Sequence, residues 1–422
     1  VIDLNAHLFI DKLTSRGEGM AKGPVFVPFA LPGEEVLAEV DGERGRLIEV
    51  LKPSPDRVAA PCPHFSACGG CAVQTLAPDA YAEWKRGLVV DALRHAGVSA
   101  EVAPLRAAWG AGRRRATFHA RFDFRGRARV GFMEARSHTI FELDACPILA
   151  PEMAGAVAAA REIAEKLAQN EKPLDLVVTG ARTGLDVDVR GCGKLDFHTE
   201  QALVAVAQKL DLARISNHGI VLIERRAPEI LSGRAVVTPP PGSFLQATAA
   251  GEEILTSVVV EALAGAKKCA DLFSGSGAFA LRLAEKADVF CVENDAAALN
   301  ACLRAARNTQ GLRGVKGEAR DLFVRPLLPA ELEKFDAVVF DPPRAGAEAQ
   351  ARELARSTVP KIAAASCNAQ TFARDAKTLV AGGYVLESVI PVDQFLYSPH
   401  VELIGIFASD ARAKRKKRRL LG

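Results

Sequence analysis

Cys367 stands in AAASCNAQTFARD (363–375), where a small apolar run gives way to a helical pattern. Exposed N–H groups at a helix start favour negative charge, so a thiol placed there can serve as a thiolate nucleophile. The plainer reading is a small buried hydrophobe, as most intracellular cysteines are. A second group, Cys62, Cys68 and Cys71, follows the spacing C-x5-C-x2-C in CPHFSACGGC, and Cys146, followed by Pro147, is the nearest candidate for a fourth ligand. Thiolates on a glycine-rich loop can turn toward one centre, as a zinc site or an iron–sulfur cluster requires. Zinc sites usually come as two short knuckles, and only Cys68 and Cys71 form a short pair, so the spacing favours a [4Fe–4S] cluster. The chain has nine cysteines, and an odd count without an export signal argues against a disulfide framework. Cys192, Cys269, Cys291 and Cys302 are assigned to packing.

Two further stretches suit a cofactor. CADLFSGSGAFALRLAEKADVFCVEND (269–295) reads as strand, glycine-rich turn, helix, strand and then an acidic residue. Gly275 and Gly277 allow close approach of the backbone to a ligand, and Glu293 is placed to accept hydrogen bonds from ribose hydroxyls. The third glycine position of the dinucleotide fingerprint holds Ala280, so pyrophosphate binding is not demanded, and nicotinamide and methionine-derived cofactors both fit. FDAVVFDPPRAG (335–346) ends a strand in Asp-Pro-Pro, a stiff turn that aims Asp341 into the crevice where such sheets bind ligands. A planar base or an amine can stack on the prolines while the carboxylate accepts its N–H groups.

These residues need elements to hold them. Residues 1–57 alternate in short segments between Gly, Pro and Asp turns, which predicts a five-stranded barrel of the oligonucleotide-binding type. Residues 58–238 are expected to form an α+β domain containing the cysteine loop, a helix over 79–97 and an arginine-rich hairpin within 106–136. From 239 to 410 strand and helix patterns alternate, as in a doubly wound parallel sheet closed by an antiparallel edge pair. The class is therefore α/β, with two smaller units before the main sheet.

Charge narrows the partners. The tail 411–422 has seven basic and no acidic residues, which leaves 47 basic against 51 acidic residues in the body of the chain. Residues 106–136 hold nine arginines against Asp123 and Glu134. Such blocks suit a polyanion, and nucleic acid is the commonest; for the tail, a solvated end is an equal reading. The chain opens with Val1 rather than Met, as expected of a sequence that lacks its first residues. With no apolar run long enough to span a bilayer and no signal-peptide pattern, the cytoplasm is the expected compartment.

DLFSGSGAF, DPPRAG and SCNAQTFARD, in this order, resemble the bacterial RNA uracil-5-methyltransferases that use S-adenosylmethionine, most closely the branch acting on 23S ribosomal RNA. LTSRGEGMAKGPVFVPFALPGEEV is similar to the TRAM domain of that branch, and Cys62, Cys68, Cys71 and Cys146 match its iron–sulfur ligands. The resemblance implies a class I methyltransferase fold, with Cys367 as nucleophile and Glu402, in SPHVEL, as proton-abstracting base. It also implies cofactor contacts at Gln246 (in GSFLQAT), Phe273, Gly275, Gly277, Glu293, Asp321 and Asp341. The pattern departs at Ala369, where the family usually has Pro, at Ala278, where Asn is common, and in QFLYSPHVE.

If the resemblance holds, the Cys367 thiolate adds to uridine C6, C5 takes the methyl group, and Glu402 removes the C5 proton. The target base must be flipped out of folded RNA. Arg113, Arg114 and Arg115 are expected to contact that RNA, and the chain is expected to act as a monomer. Other acceptors compatible with these residues are transfer RNA and a protein or small-molecule amine. A catalytically inactive iron–sulfur RNA-binding protein is the non-enzymatic alternative.

Overall fold

In this computed structural model residues 5–135, 137–170 and 172–410 are described; Arg136 and the basic tail 411–422 lie outside them. Alternating apolar residues at the start curl into a closed barrel of β1 (Asn5–Leu13), β2 (Glu18–Ala21), β3 (Val25–Pro28), β4 (Glu35–Asp41) and β5 (Arg44–Lys52), in the order β1-β2-β3-β5-β4. Ile10, Val27, Val36 and Ala38 fill its interior.

Helix α1 (Pro78–Ala96) follows the cysteine loop, and the two-residue strand β6 (Arg106–Ala107) follows α1. A seven-stranded sheet is then built from β7 (Arg115–Phe122), β8 (Ala128–Met133), β9 (Ile140–Glu142), β10 (Leu174–Ala181), β11 (Gly184–Arg190), β12 (Arg214–Asn217) and β13 (Ile220–Glu224). Its order is β13-β12-β11-β10-β7-β8-β9. Helices α2 (Ala156–Lys166) and α3 (Phe197–Lys209) share a core with it.

The arginine-rich stretch forms a hairpin, β7–β8, in which Arg121 stands opposite Arg129, with Arg127 two residues before it, on the face away from the buried Phe118, Ala120, Ala128 and Val130. The run Arg113–Arg115 that leads into it turns inward instead. Arg114 is buried and ion-paired with Glu252. Arg113 is over the Phe395 ring at 5.3 Å, and Arg115 donates to Gly242 O. Arg129 and Arg127 reach Glu142 at 2.8 and 3.3 Å. Counting charge along a strand misses this, because the groups that meet Arg113–Arg115, namely Phe395, Glu252 and the Gly242 carbonyl, come from distant segments.

After the short hairpin β14 (Ile230–Ser232) and β15 (Ala235–Val237), helix α4 (Ala249–Ala262) leads into the main sheet. Its strands are β16 (Lys268–Leu272), β17 (Asp288–Glu293), β18 (Val315–Ala319), β19 (Ala337–Phe340), β20 (Lys361–Ser366), β21 (Tyr384–Asp393) and β22 (Glu402–Ser409). Between them lie α5 (Ala278–Leu283), α6 (Ala296–Asn308), α7 (Pro329–Leu332), α8 (Glu348–Arg356) and α9 (Ala369–Ala381). The order is β18-β17-β16-β19-β20-β22-β21-β6, parallel except for β22. Along β19 successive residues feed two cores, Val338 one face and Ala337 and Val339 the other. That explains why the strand reads as an unbroken apolar run.

Two expectations change here. β21 and β22 are antiparallel, but they are not the edge: β6 adds outside β21, pairing parallel at Val392–Arg106. Residues 78–107, expected in the central unit, serve the main sheet, because Val89, Ala92 and Leu93 of α1 join the core that contains Phe372 and Leu379 of α9. An amphipathic period shows that a helix has an apolar face, not which sheet will cover it. No helix among the described residues is long and apolar enough to cross a membrane.

Candidate active site

Strand register gathers the candidate residues at one end of the main sheet. Leu272 pairs with Val292 and Phe340, and Phe340 with Ala364, so the residues that follow these parallel strands emerge together. Phe273 follows β16, Glu293 ends β17, Asp321 lies just beyond β18, Asp341 follows β19 and Cys367 follows β20. β22 runs the other way, so its first residue arrives at the same end. Ser366 pairs with Leu403, and continuing that register sets Cys367 opposite Glu402. A ligand crevice at the carboxyl ends of such a sheet is the general rule.

The turn after β16 is built by constraint. Phe273 has φ 61° and Gly275 φ 53°; a non-glycine residue there is a strained backbone of the kind that functional sites hold. A Cβ on Gly275 would meet nothing within 4 Å, whereas one on Gly277 would run into Cys302 Sγ. Gly275 therefore leaves room for a ligand, and Gly277 is required by packing. Glu293 accepts from Gly275 N and from Asp295 N, both at 2.8 Å, so its carboxylate also fixes the turn. Ser276 Oγ is buried without a hydrogen-bond partner among the described residues, a hydroxyl suited to a polar ligand. Asp321 accepts from Phe323 N at 2.9 Å, and the Phe323 ring lies 5.4 Å from that of Phe273. Gln246 joins from before α4, donating to Asp341 Oδ2 at 3.1 Å and accepting from Gln394 Nε2 at 2.6 Å.

The electrostatics overturn one expectation. Cys367 is half-buried, and its thiol is pushed up to about 11, first by burial and then by the charges of Glu402 and Asp341, with Arg344 opposing. It is a thiol at neutral pH in the free protein. The helix start does not rescue it, because the Asn368 side chain accepts from Gln370 N and Thr371 N and so occupies donors that would favour a thiolate. Burial also pushes Asp341 up to about 7, against the Gln246 hydrogen bond. Glu402 rises to about 8 through burial and the Asp341 charge, opposed by a Gln394 hydrogen bond and by Arg344.

Arg344, Gln394 and His400 escaped the sequence reading. Arg344 directly follows Asp341-Pro342-Pro343, so its motif was in view. Gln394 and His400 lie within QFLYSPHVE, but what Gln394 does depends on Gln246, far away in the chain. His400 takes a hydrogen bond from Arg344 at 2.9 Å and is held down at about 4 by burial and then by Arg344 and Lys85, hence neutral. Cys367, Arg344 and His400 line a groove of about 690 Å³ whose other walls are Lys12–Arg16 of the barrel side and Trp84 and His95 of α1.

The four clustered cysteines meet at a different place. Cys62, Cys68, Cys71 and Cys146 all line one cavity of about 490 Å³ against the β7–β8 face, with Arg113 beside them. Cys68 N donates to His64 O, and Gly69 N to Met133 O, both at 2.9 Å, so the loop backbone is anchored. Burial pushes the Cys68 and Cys71 thiols up and Cys146 to about 11, and neighbouring cysteines of the set add to each shift. Among the described residues no three His, Cys, Asp or Glu side chains are arranged to hold a single metal ion.

Known proteins are similar to this chain in sequence and fold. The model of the tRNA (Uracil-5-)-methyltransferase family matches residues 229–410. The chain is 47% identical to an uncharacterized RNA methyltransferase of Brucella suis biovar 1, over 95% of this chain and 97% of that protein. It is 33% identical to a 23S rRNA (uracil(1939)-C(5))-methyltransferase of Halomonas elongata, over 97% of this chain and 91% of that one. The crystal structure of the Pyrococcus abyssi tRNA (uracil-54, C5)-methyltransferase in complex with S-adenosyl-L-homocysteine is similar with a TM-score of 0.73 at 25% identity, covering 95% of this chain and 99% of that chain. The chain belongs to the RNA (uracil-5-)-methyltransferase family of enzymes.

Proposed function

We propose that this enzyme methylates C5 of a uridine in 23S ribosomal RNA through a covalent adduct between Cys367 and C6. The observation that carries the reading is the register that sets Cys367 opposite Glu402 at the mouth of the crevice ending β16–β20. S-adenosylmethionine, when bound, supplies an electrophilic methyl group. Gln246, Phe273, Gly275, Glu293, Asp321 and Asp341 would hold it, and Gly277 would shape the turn. The open turn at Gly275 and the unpartnered Ser276 hydroxyl fit such a ligand.

Uridine C5 is a weak carbon nucleophile. Bond formation from Cys367 sulfur to C6 moves the C5=C6 electron pair onto C5 and O4, which arms C5 to take the methyl group. The thiol proton must leave as that bond forms, and the groove gives it a path to water; Arg344, which acts on Cys367 and Glu402 alike, favours the anion. The Glu402 carboxylate then takes the C5 proton, C5=C6 re-forms and the sulfur leaves. The groove between barrel, α1 and β20, of about 690 Å³, has room for a flipped nucleotide. Lys12, Arg16 and Arg344 there replace the Arg113–Arg115 run as proposed RNA contacts.

The cysteine cavity supports a [4Fe–4S] cluster held by Cys62, Cys68, Cys71 and Cys146. Four thiols around one cavity suit a group several atoms across, which spaces its ligands more widely than a single ion does. Bound there, its positive charge would let thiols that repel one another ionise together. The residues' own part is to tie the 62–71 loop to Cys146 beneath the β7–β8 hairpin.

The test is methyl transfer from labelled S-adenosylmethionine to unmodified 23S rRNA and to tRNA, followed by nucleoside analysis. Labelled 5-methyluridine in 23S rRNA is expected. Label in tRNA alone would move the substrate to the one named for the Pyrococcus abyssi enzyme, and label in neither would refute the reading.

A further inference from the structure

Lys85, within α1, and Asp393, at the end of β21, are completely buried and lie 2.8 Å apart. The chemistry above uses neither. Every polar atom of the pair is nonetheless engaged. Asp393 Oδ1 accepts from Lys85 Nζ at 2.8 Å and from Phe395 N at 3.1 Å. Its Oδ2 accepts from Tyr81 Oη at 2.6 Å and from Trp109 Nε1 at 2.9 Å. An ammonium has three N–H donors, and the other two of Lys85 go to Phe395 O at 3.3 Å and to His400 O.

Those two carbonyls are the start and the end of the segment joining β21 to β22. The segment opens with Gln394 and runs into Glu402, and Val392 pairs with Glu402 across its base. Tyr81 adds a third point, its oxygen accepting from Tyr397 N at 3.0 Å in the middle of the segment. Tyr397 has φ 61°, a conformation that a non-glycine residue keeps only where its surroundings impose it. On the outer side, Tyr397 O accepts from Ala72 N at 2.8 Å and Val73 N at 3.2 Å, next to Cys71. Apolar residues of similar volume often replace a buried ion pair without loss of stability. They could not fix the direction of two carbonyls and an amide.

We propose that Lys85, Asp393 and Tyr81 are positioning residues for the proton-abstraction half of the reaction, holding the 394–401 segment at its start, middle and end so that Glu402 and Gln394 face the crevice. This rests on Glu402 as the base that takes the C5 proton. In that step the C5–H bond breaks, its electron pair re-forms C5=C6, and the S–C6 bond breaks to return the Cys367 sulfur.

The test follows both halves in one single-turnover reaction, using RNA tritiated at uridine C5 and a carbon-labelled methyl donor. Tritium reaches water only when the C5 proton is taken, whereas the methyl label enters before that. For Lys85→Met and Asp393→Asn, tritium release is expected to slow at least tenfold more than methyl incorporation, with a methylated RNA–protein adduct persisting on a denaturing gel. Tyr81→Phe keeps the ion pair and should give the same split at about threefold, so the test survives if the other two variants fail to fold. Equal slowing of both halves in Tyr81→Phe and in whichever other variants fold would mean a purely structural role and would overturn the proposal. Glu402→Gln separates the two ideas. A split there but in no network variant sinks the positioning role alone, and no split there removes the base on which it depends.

Discussion

Cysteine stands at two candidate sites in this chain, and they differ in what surrounds the sulfur. In the cavity under the β7–β8 hairpin four thiols face one another, on a loop pinned by backbone hydrogen bonds, with Arg113 as the nearby cation. At the end of the main sheet a single thiol faces two buried carboxyls and Arg344. Burial raises the thiols in both places, but the remedy differs. Like thiols are relieved together by one shared positive group. A lone thiol among carboxyls is relieved when those carboxyls are neutral or when cations reach them. The first arrangement suits a fixed structural group, the second a group that must change charge during turnover.

The sharpest way to break that contrast is to remove one sulfur from each site. Cys367→Ala should lower methyl transfer by about three orders of magnitude or more while leaving thermal stability unchanged. Cys71→Ala should do the opposite at first order, with iron and sulfide content and melting temperature falling. Loss of methyl transfer in Cys71→Ala protein with an unchanged melting temperature would erase the distinction.

Arg114 sharpens the comparison next, because it ties the central sheet to α4 through Glu252. Arg114→Ala strands a buried carboxylate and should cost about 3–5 kcal/mol of stability in chemical denaturation. It should leave the salt dependence of RNA binding alone, whereas Lys12→Glu and Arg16→Glu should each weaken binding and lower the log–log salt slope by about one. An altered slope in Arg114→Ala and none in the groove variants would restore the Arg113–Arg115 run as the interface.

The carboxyl pair gives a pH test. Asp341 is raised to about 7 and Glu402 to about 8, both by burial first. A carboxyl raised on folding stabilises fully below its unfolded value, and that contribution is lost as pH rises through the folded value. The cofactor-free protein should therefore lose a few degrees of melting temperature between pH 6 and 9, and less in Asp341→Asn. Tritium release, which needs ionised Glu402, should rise over the same range. A flat release profile would remove Glu402 as the titrating group.

The smallest effect concerns the departure at Ala369. It is the first residue of α9, Asn368 before it has φ −141° and ψ 108°, and proline fits such a place. Ala369→Pro should change stability by no more than about 1 kcal/mol, in the favourable direction, and leave methyl transfer unchanged in the same assay.

Much of this was legible in the chain. Turn residues between alternating segments marked the barrel, and apolar runs alternating with helical periods marked the main sheet. Short motifs carried Asp341, the glycine-rich turn and the cysteine loop, because each of these depends on neighbours in sequence. What depends on distant partners was not legible. The helix over α1 was expected, but its place on the main sheet was set by α9 and β21. The arginines of 113–115 read as a surface until Glu252, Phe395 and Gly242 met them. Cys367 read as a thiolate until Asn368 took the helix donors and two carboxyls from other strands faced it.

The measurement closest to the central claim uses RNA in which uridine is replaced by 5-fluorouridine, incubated with enzyme and S-adenosylmethionine and run on a denaturing gel. Fluorine at C5 cannot leave as a proton, so after methyl transfer the bond from Cys367 to C6 should persist. The account requires a methylated RNA–protein complex in the wild type, mapped to Cys367 by peptide sequencing and missing in Cys367→Ala. Methylation of normal RNA by Cys367→Ala at the wild-type rate, with no trapped complex in either protein, would contradict it.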